Sequence, residues 1–438
     1  MSYPQSAPRH LHLATLGAPT YLGSVQHIYS VPDHPGYMIC RTTEAGSVFD
    51  VGSIFNIEGN DLNRAVFRHA MYGRLADPAT WARVKNAITA DTTLPDDWRA
   101  ELLKGPLEKF IETGAVTHHL GMVDAKTGDV ATHGLPENPS TSNVVRRFPV
   151  MHPPRRPLLG SFVFDYAQFH QSDCYVIPLE YIVRFGVTSG SSILKKYEGM
   201  SGSARSAYEQ ELGLTRPMQA WEMLSPPIFD LTSKYEPEDR NVTKQEALLM
   251  SGLSTQAFQD TVKMALLGGW AVRELLEQIG LSLWDLKWEF AVDHEELLFV
   301  DTIDSDSFRA TSTLETDGQQ LIIHYNKQAM RDYYRIVHPD WFSGINAAKA
   351  EAQRIGRPFK EVLQEGQATG RFPATPEVDP HFLALQGRKT SLIRQHVEGS
   401  SDSATLRNAL AQCGHEEVAF YRQRGHLDAL AALNALQA

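Results

Sequence analysis

Three charged side chains stand two residues apart in Trp284-Asp285-Leu286-Lys287-Trp288-Glu289-Phe290. Read as a strand, the segment puts Asp285, Lys287 and Glu289 on one face and Trp284, Leu286, Trp288 and Phe290 on the other. The aromatic face is fit for burial, and the charged face gathers two carboxylates and an ammonium. The returning arm of a hairpin, Leu297 to Asp301, leads into an acid- and serine-rich stretch that ends at Arg309. With an odd-length loop between the arms, Glu289 falls directly opposite Asp301, their Cβ atoms roughly 5 Å apart. Two carboxylates that close repel unless something neutralises them. They suit Mg²⁺, a hard cation that leaves room for water and phosphate. The plainer alternative is that Lys287 and Arg309 simply pair with the acids.

A second feature is Arg184-Phe185-Gly186-Val187-Thr188-Ser189-Gly190-Ser191-Ser192, where an arginine leads from a strand into a hydroxyl-rich turn. Backbone N–H groups and hydroxyls in such a turn can cradle a phosphate, and the arginine can grip it with a forked pair of hydrogen bonds. Most Ser/Gly turns are only turns. Just upstream, alternation from Val176 to Phe185 puts Ile177, Leu179, Tyr181 and Val183 on an apolar face, with Glu180 and Arg184 together on the other. Gly23-Ser24-Val25-Gln26-His27-Ile28-Tyr29 is a short glycine-led strand that means little alone. His118 and His119 are adjacent, so on a strand they point to opposite faces and do not readily chelate one ion.

The elements that must hold these groups are legible in outline. Residues 21–59 mix short apolar runs with Gly, Pro and Asp, which predicts strands. Residues 61–113 predict helices, with Leu62, Val66 and Met71 at near-helical spacing. Strands return near Ala115 to Met122. Residues 123–160 are polar and proline-rich, with Arg146, Arg147, Arg155 and Arg156, and read as a long loop or inserted excursion. Residues 244–280 predict helices with Leu248, Leu249, Met264, Leu266 and Leu275 as core candidates, and Leu281 to Thr302 predicts a hairpin. The chain then turns helical from about residue 328 to its end, where Leu427, Leu430, Leu433 and Leu436 read as core or subunit interface.

The 438 residues suffice for two or three lobes, and 42% apolar with 21% charged residues is ordinary for a soluble globular protein. A net charge of −11 argues against wholesale nucleic-acid binding, though an anionic ligand in a locally basic pocket stays open. Three widely spaced cysteines, Cys40, Cys174 and Cys413, argue against a disulfide framework and predict a reduced, cytoplasmic chain. The N-terminus lacks the apolar core of a signal peptide, and no apolar run approaches the ~20 residues of a membrane span.

Taken in order, eight segments resemble the SAICAR synthetase (phosphoribosylaminoimidazole-succinocarboxamide synthase) family. Gly23 to Tyr29 resembles its G-K-x-K-x-x-Y hairpin, Ser47 to Asp50 its S-A-F-D, and Gly114 to His119 its G-I-x-T-H-F. Pro178 to Arg184 is similar to P-x-E-x-x-V-R, and Pro227 to Lys234 with Glu238-Asp239 to P-I-F-x-x-x-x-K followed by H-D. Asp285 to Phe290 resembles D-x-K-x-E-F, Asp301 to Arg309 resembles D-E-x-x-T-P-D-S-S-R, and Asn326 to Asp332 resembles D-K-Q-x-x-R-D.

The resemblance implies a two-lobed α+β fold of antiparallel sheets, related to ATP-grasp and kinase-like arrangements. Residues 1–122 would be the lobe covering ATP, 123–170 an inserted loop region, 171–345 the central ATP and substrate lobe, and 346–438 a helical extension. It implies an ATP- and Mg²⁺-dependent ligase that joins aspartate, or a related amine, to the carboxylate of a phosphoribosyl azole, with a homo-oligomer possible. Glu289 and Asp301 would hold Mg²⁺. Asp285 and Lys287 would lie beside the nucleotide phosphates, with Gly23, Gln26, His27 and Glu180 on the nucleotide. Arg184, Ser189, Ser191 and Arg309 would bind the substrate phosphate, and Asp50, Lys234 and Asp239 would line the pocket where carboxylate and amine meet.

The sequence departs from the family pattern in several places. Ser24 and Gln26 replace both hairpin lysines, and each lost charge-assisted contact costs ~1.5–3 kcal/mol unless replaced. Either His27 or an arginine from elsewhere takes their place, or nucleotide use has changed. The phosphate turn is one residue longer, and Glu238 stands where the family has histidine. Purine synthesis and specialised nucleoside metabolism both fit such drift. A small-molecule kinase and a non-catalytic binder are the alternatives from other classes.

Overall fold

The computed structural model describes residues 6–31, 34–214, 216–236 and 239–435. The chain opens with β1 (Tyr21–Leu22), β2 (Gln26–Ser30) and β3 (Tyr37–Thr42), then a separate hairpin of β4 (Ala45–Ser47) and β5 (Ser53–Asn56). Helices α1 (Asn60–Leu75), α2 (Pro78–Ala90), α3 (Asp96–Leu102) and α4 (Pro106–Thr113) follow. Val66 and Met71 of α1 are buried, as their spacing requires. Next come β6 (His119–Asp124), β7 (Val130–Ala131) and β8 (Pro139–Arg146).

The first sheet runs β1-β2-β3-β8-β6-β7, all antiparallel. Its central strand β8 falls inside the stretch that reads as a loop in sequence, which corrects that reading. Its buried positions are Ser140, Ser142 and Asn143 as well as Val144 and Val145, so polar residues hide a core strand. Arg146 at its end is buried and pairs with Asp293. An exposed hairpin of β9 (Arg155–Leu158) and β10 (Ser161–Phe164) is the excursion that remains.

The second lobe is built on a mixed-length antiparallel sheet. Its strands are β11 (Cys174–Val176), β12 (Leu179–Val187), β13 (Glu222–Ser233), β14 (Asn241–Val242), β15 (Ser282–Asp293), β16 (Glu296–Val300), β17 (Phe308–Thr316) and β18 (Gln319–His324). The order is β14-β13-β12-β15-β17-β18, with β11 and β16 pairing the far end of β15. Helices α5 (Ser192–Glu198) and α6 (Gly202–Leu212) follow β12, and α7 (Lys244–Ser251) and α8 (Thr255–Glu277) precede β15. Thr243 and Ser254 cap α7 and α8 by accepting from Glu246 and Ala257 N–H.

Helix α8 covers the apolar face of β12 and β15. A Cβ at Gly268 would stand 3.0 Å from Trp288 and Phe299, and one at Gly269 3.0 Å from Phe185, so the glycine pair permits the close approach. Met264, Leu266 and Leu275 are buried there, whereas Leu249 is 60% exposed, against expectation. Backbone bonds from His118 N to Phe299 O (2.9 Å) and Phe299 N to Val116 O (3.1 Å) stitch the two lobes together.

Helices α9 (Gln328–Val337), α10 (Pro339–Ile355), α11 (Phe359–Ala368), α12 (Pro380–Glu398), α13 (Ser403–Gln423) and α14 (Leu427–Asn434) complete the chain. The extension packs onto both lobes: Thr390 of α12 bonds Asn63 of α1, and Leu410 of α13 accepts from Tyr325. Leu430 is fully buried, and Leu427 and Leu433 pack against the main core. Leu436 lies outside the described residues, as does Glu238.

Candidate active site

The face of β15 opposite α8 carries Asp285, Lys287 and Glu289, and the neighbouring β12 carries Glu180 and Arg184 on the same side. Register places Ile182 opposite Lys287 and Arg184 opposite Asp285. Lys287 Nζ donates to Glu180 Oε1 at 2.6 Å and Glu289 Oε1 at 2.7 Å, and stands 3.6 Å from Asp301 Oδ2. Lys234, just past the end of β13, donates to Glu289 as well and lies 3.9 Å from Glu180. Three carboxylates therefore share two ammoniums, leaving one net negative charge in the cluster.

Glu289 and Asp301 come together by a route different from the expected one. The loop between β15 and β16 has two residues, His294 and Glu295, so Glu289 pairs with Val300, and Asp301 is one step beyond. Asp301 leaves the strand at φ 65°, a left-handed turn that breaks alternation. Its carbonyl accepts from Tyr72 (2.8 Å) and its N–H donates to His118 Nδ1 (3.2 Å). His119 points elsewhere, to His69 Nδ1 at 2.8 Å, as alternation requires.

Burial pushes the Glu289 carboxyl up to about 7, the Asp301 charge adds to the rise, and Lys287 and Lys234 oppose it. Burial alone would raise Asp301 too, but Lys234 and Lys287 outweigh it and hold that carboxyl below its usual range. A raised acid stabilises the fold only while protonated. The Glu289 contribution is complete below its ordinary 4.5 and is lost as pH rises through about 7. We expect the urea midpoint of the ligand-free protein to fall between about pH 5 and pH 8, and Glu289→Gln to flatten that slope. An equal slope in the variant would remove Glu289 as its source.

Arg184 is buried rather than free. It donates to Asp230 Oδ2 (3.0 Å), Asp285 Oδ2 (3.2 Å) and Ser191 Oγ (3.2 Å). Ser191 is fully buried, and the Ser189 hydroxyl is taken by the Leu433 carbonyl (2.9 Å). Arg309, partly exposed, donates to Asp285 Oδ2 at 2.5 Å. The cations that crowd the turn instead are Lys195, Arg331 and Arg335, with Arg309. A Cβ on Gly190 would stand 3.7 Å from Arg335 NH1. Burial, then Arg335, Arg309 and Arg331, push the Lys195 ammonium down, and burial followed by Arg309 and Arg335 does the same to Arg331. Such crowding of like charges is relieved by an anion.

The remaining expected residues are spread around this centre. Gly23 N–H bonds Gln26 O (2.9 Å) in the β1–β2 turn. Gln26 Oε1 accepts from Arg68 NH1 (2.7 Å), so an arginine from α1 reaches one of the positions where lysine is missing. His27 falls on the opposite face of β2 from Gln26. Asp50 is exposed, at φ 66°, and pairs with Lys349 of the extension (2.6 Å). Asp239 stands at the surface beyond β13, where partial burial and the Glu180 charge push its carboxyl up.

Reasoning from sequence misses Asp230, Asp304, Arg64 and Arg68. Arg64 and Arg68 lie one turn apart on α1 and both grip Asp304, which is fully buried. Their i,i+4 spacing was the available signal. A small pocket opens beside them, with Arg64, Asp306, Lys327 and Asn60 in its wall. Among the described residues no group of three or more His, Cys, Asp or Glu side chains is arranged to hold a metal, and no helix is long and apolar enough to cross a membrane.

A family model for SAICAR synthetase matches residues 130–347. A protein of Archaeoglobus fulgidus, provisionally named phosphoribosylaminoimidazole-succinocarboxamide synthase, is 28% identical over 265 residues, covering 59% of this chain and 73% of its own. The phosphoribosylaminoimidazole-succinocarboxamide synthase of Thermoplasma acidophilum is 29% identical over 257 residues, covering 57% and 71%. A solved structure titled SAICAR synthase superposes with a TM-score of 0.50 at 16% identity, covering 90% of this chain and 98% of that one, a likeness of fold.

Proposed function

The chain belongs to the SAICAR synthetase family, and from that premise we propose that it is an ATP-dependent ligase joining aspartate to the carboxylate of a phosphoribosyl azole. The observation that carries the reading is the cluster of Glu180, Lys234, Lys287, Glu289 and Asp301 on one face of β12 and β15 and at the ends of β13 and β16. A carboxylate resists an amine until one of its oxygens becomes a leaving group. In the first step a carboxylate oxygen attacks the γ-phosphorus of ATP, the bond to the β-phosphate oxygen breaks, and ADP leaves with the electron pair. In the second, the amine nitrogen attacks the acyl carbon, the bond to the phosphate oxygen breaks, and phosphate leaves as nitrogen gives up a proton.

In this reading Lys287 and Lys234 spread the charge of the transferring phosphoryl group. Glu289 and Asp301 would hold Mg²⁺. Two converging carboxylates are what Mg²⁺ needs when phosphates and water complete its shell, and they now depend on lysines for neutralisation. The bound ion would neutralise phosphate charge. Asp239, its carboxyl pushed up, accepts the amine proton. Holding the reactants in line supplies up to ~7–11 kcal/mol of the barrier reduction.

The deciding experiment supplies ATP, Mg²⁺ and carboxyaminoimidazole ribotide, with and without aspartate, and follows ADP release and product mass. A succinocarboxamide that forms only with aspartate is the expected result. ADP release that needs no amine, without a ligated product, would replace the ligase by a kinase.

A further inference from the structure

The C-terminal helix α14 packs its leucines on the core and ends in polar contacts with the serine-rich turn and the arginine-bearing helix α9. The Leu433 carbonyl accepts from Ser189 Oγ at 2.9 Å. Asn434, 3% exposed, donates from Nδ2 to Asp332 Oδ2 at 3.1 Å. Asp332, itself buried, accepts on its other oxygen from Gln328 Nε2 (2.9 Å) and Arg335 NH1 (3.4 Å). Ala435 then pairs with Leu321 at the edge of β18, and Leu430 anchors the helix in the core. Residues 433–435 are thus tied to the two elements that frame the Lys195, Arg309, Arg331 and Arg335 cluster.

We propose that α14 is a working wall of the anion pocket, in which Asn434 is a positioning residue that aims Arg335 through Asp332 while Leu433 fixes the Ser189 turn. The proposal rests on the ligase reading for its ligand, the phosphate of the azole substrate, and its physical basis is separate. Arg335 must be held among three other cations that repel it: its guanidinium lies over the Phe49 and Phe342 rings, and Asp332 is the carboxylate that pairs with it. A buried Asp332 needs its own oxygens satisfied to keep that orientation. Asn434 supplies a neutral donor, which steadies the carboxylate without competing for its charge. A cation there would draw Asp332 away from Arg335.

The test uses the full chain. Asn434→Ala is expected to raise KM for the phosphorylated carboxylate about tenfold, with kcat and KM for ATP within about twofold of wild type. Asn434→Gln, which keeps the amide donor, is expected to recover part of the loss. Arg335→Met gives the same KM defect, and the double variant is no worse than Arg335→Met alone, since both act through one group. Additive defects, or a KM for ATP that rises in parallel, would overturn the proposal. Titration calorimetry with ribose 5-phosphate separates it from the ligase reading. Binding that Asn434→Ala weakens about tenfold, in a protein that forms no ligated product, keeps the wall and removes the ligase. Equal affinity in wild type and variant removes the wall.

Discussion

Glu289→Gln is expected to cost roughly 10²–10³-fold in kcat, the scale on which one preorganised charge contact to a reacting group is worth, while leaving the protein folded. Glutamine has the same shape and keeps an oxygen for Lys287 and Lys234. What it removes is one charge, which takes the cluster of Glu180, Glu289, Asp301, Lys234 and Lys287 from a net negative charge to none. A divalent cation carrying nucleotide phosphates then loses most of its attraction to the site. The same substitution relieves a buried carboxyl whose ionisation is disfavoured, so stability near pH 7 is expected to hold or rise. Loss of turnover with retained stability separates a catalytic role from a structural one. Turnover of the variant at the wild-type rate, on a confirmed substrate, would remove Glu289 from the metal and phosphate site.

The faces of β12 and β15 were readable because alternation is local: aromatic and charged residues sort themselves within seven positions. The pairing of Glu289 with Asp301 was readable only as proximity. The sequence shows two acids near a hairpin, but the register depends on loop length, and His294-Glu295 carries no strong turn signature. Asp301 then reaches the cluster through a positive φ, which a non-glycine residue does not advertise. Strand β8 was hidden for a different reason. It is covered on both sides, by α1 and by its neighbours, and meets them through Asn143 and its serines, so the apolar signal is weak. The partners of Arg184 were not readable, because sequence gives residue types and not their contacts. Asp230 lies 46 residues from Arg184, on a strand whose register with β12 no local pattern sets.

That partnership gives Arg184→Ala its expected result, a loss of about 3–5 kcal/mol of stability, larger than any specific effect on substrate binding. The guanidinium is 2% exposed and spends its donors on Asp230, Asp285 and Ser191. Removing it leaves Asp230 without its ion-pair partner and Asp285 dependent on Arg309 alone. A buried carboxylate without its cation must stay charged at a cost or take up a proton, and either route disfavours the fold. The phosphate turn loses its support in the same step, because the Ser191 hydroxyl, at the N-terminus of α5, is held by Arg184. Urea unfolding of wild type, Arg184→Ala and Arg335→Met tests the distinction. Arg184→Ala should shift the midpoint strongly and Arg335→Met much less, since Asp332 keeps Gln328 and Asn434 as donors when Arg335 is lost and the repulsion among the cations is relieved. An Arg184→Ala protein as stable as wild type, with a raised KM for the phosphorylated substrate alone, would return Arg184 to direct contact with the phosphate and make the two aspartates its placeholders.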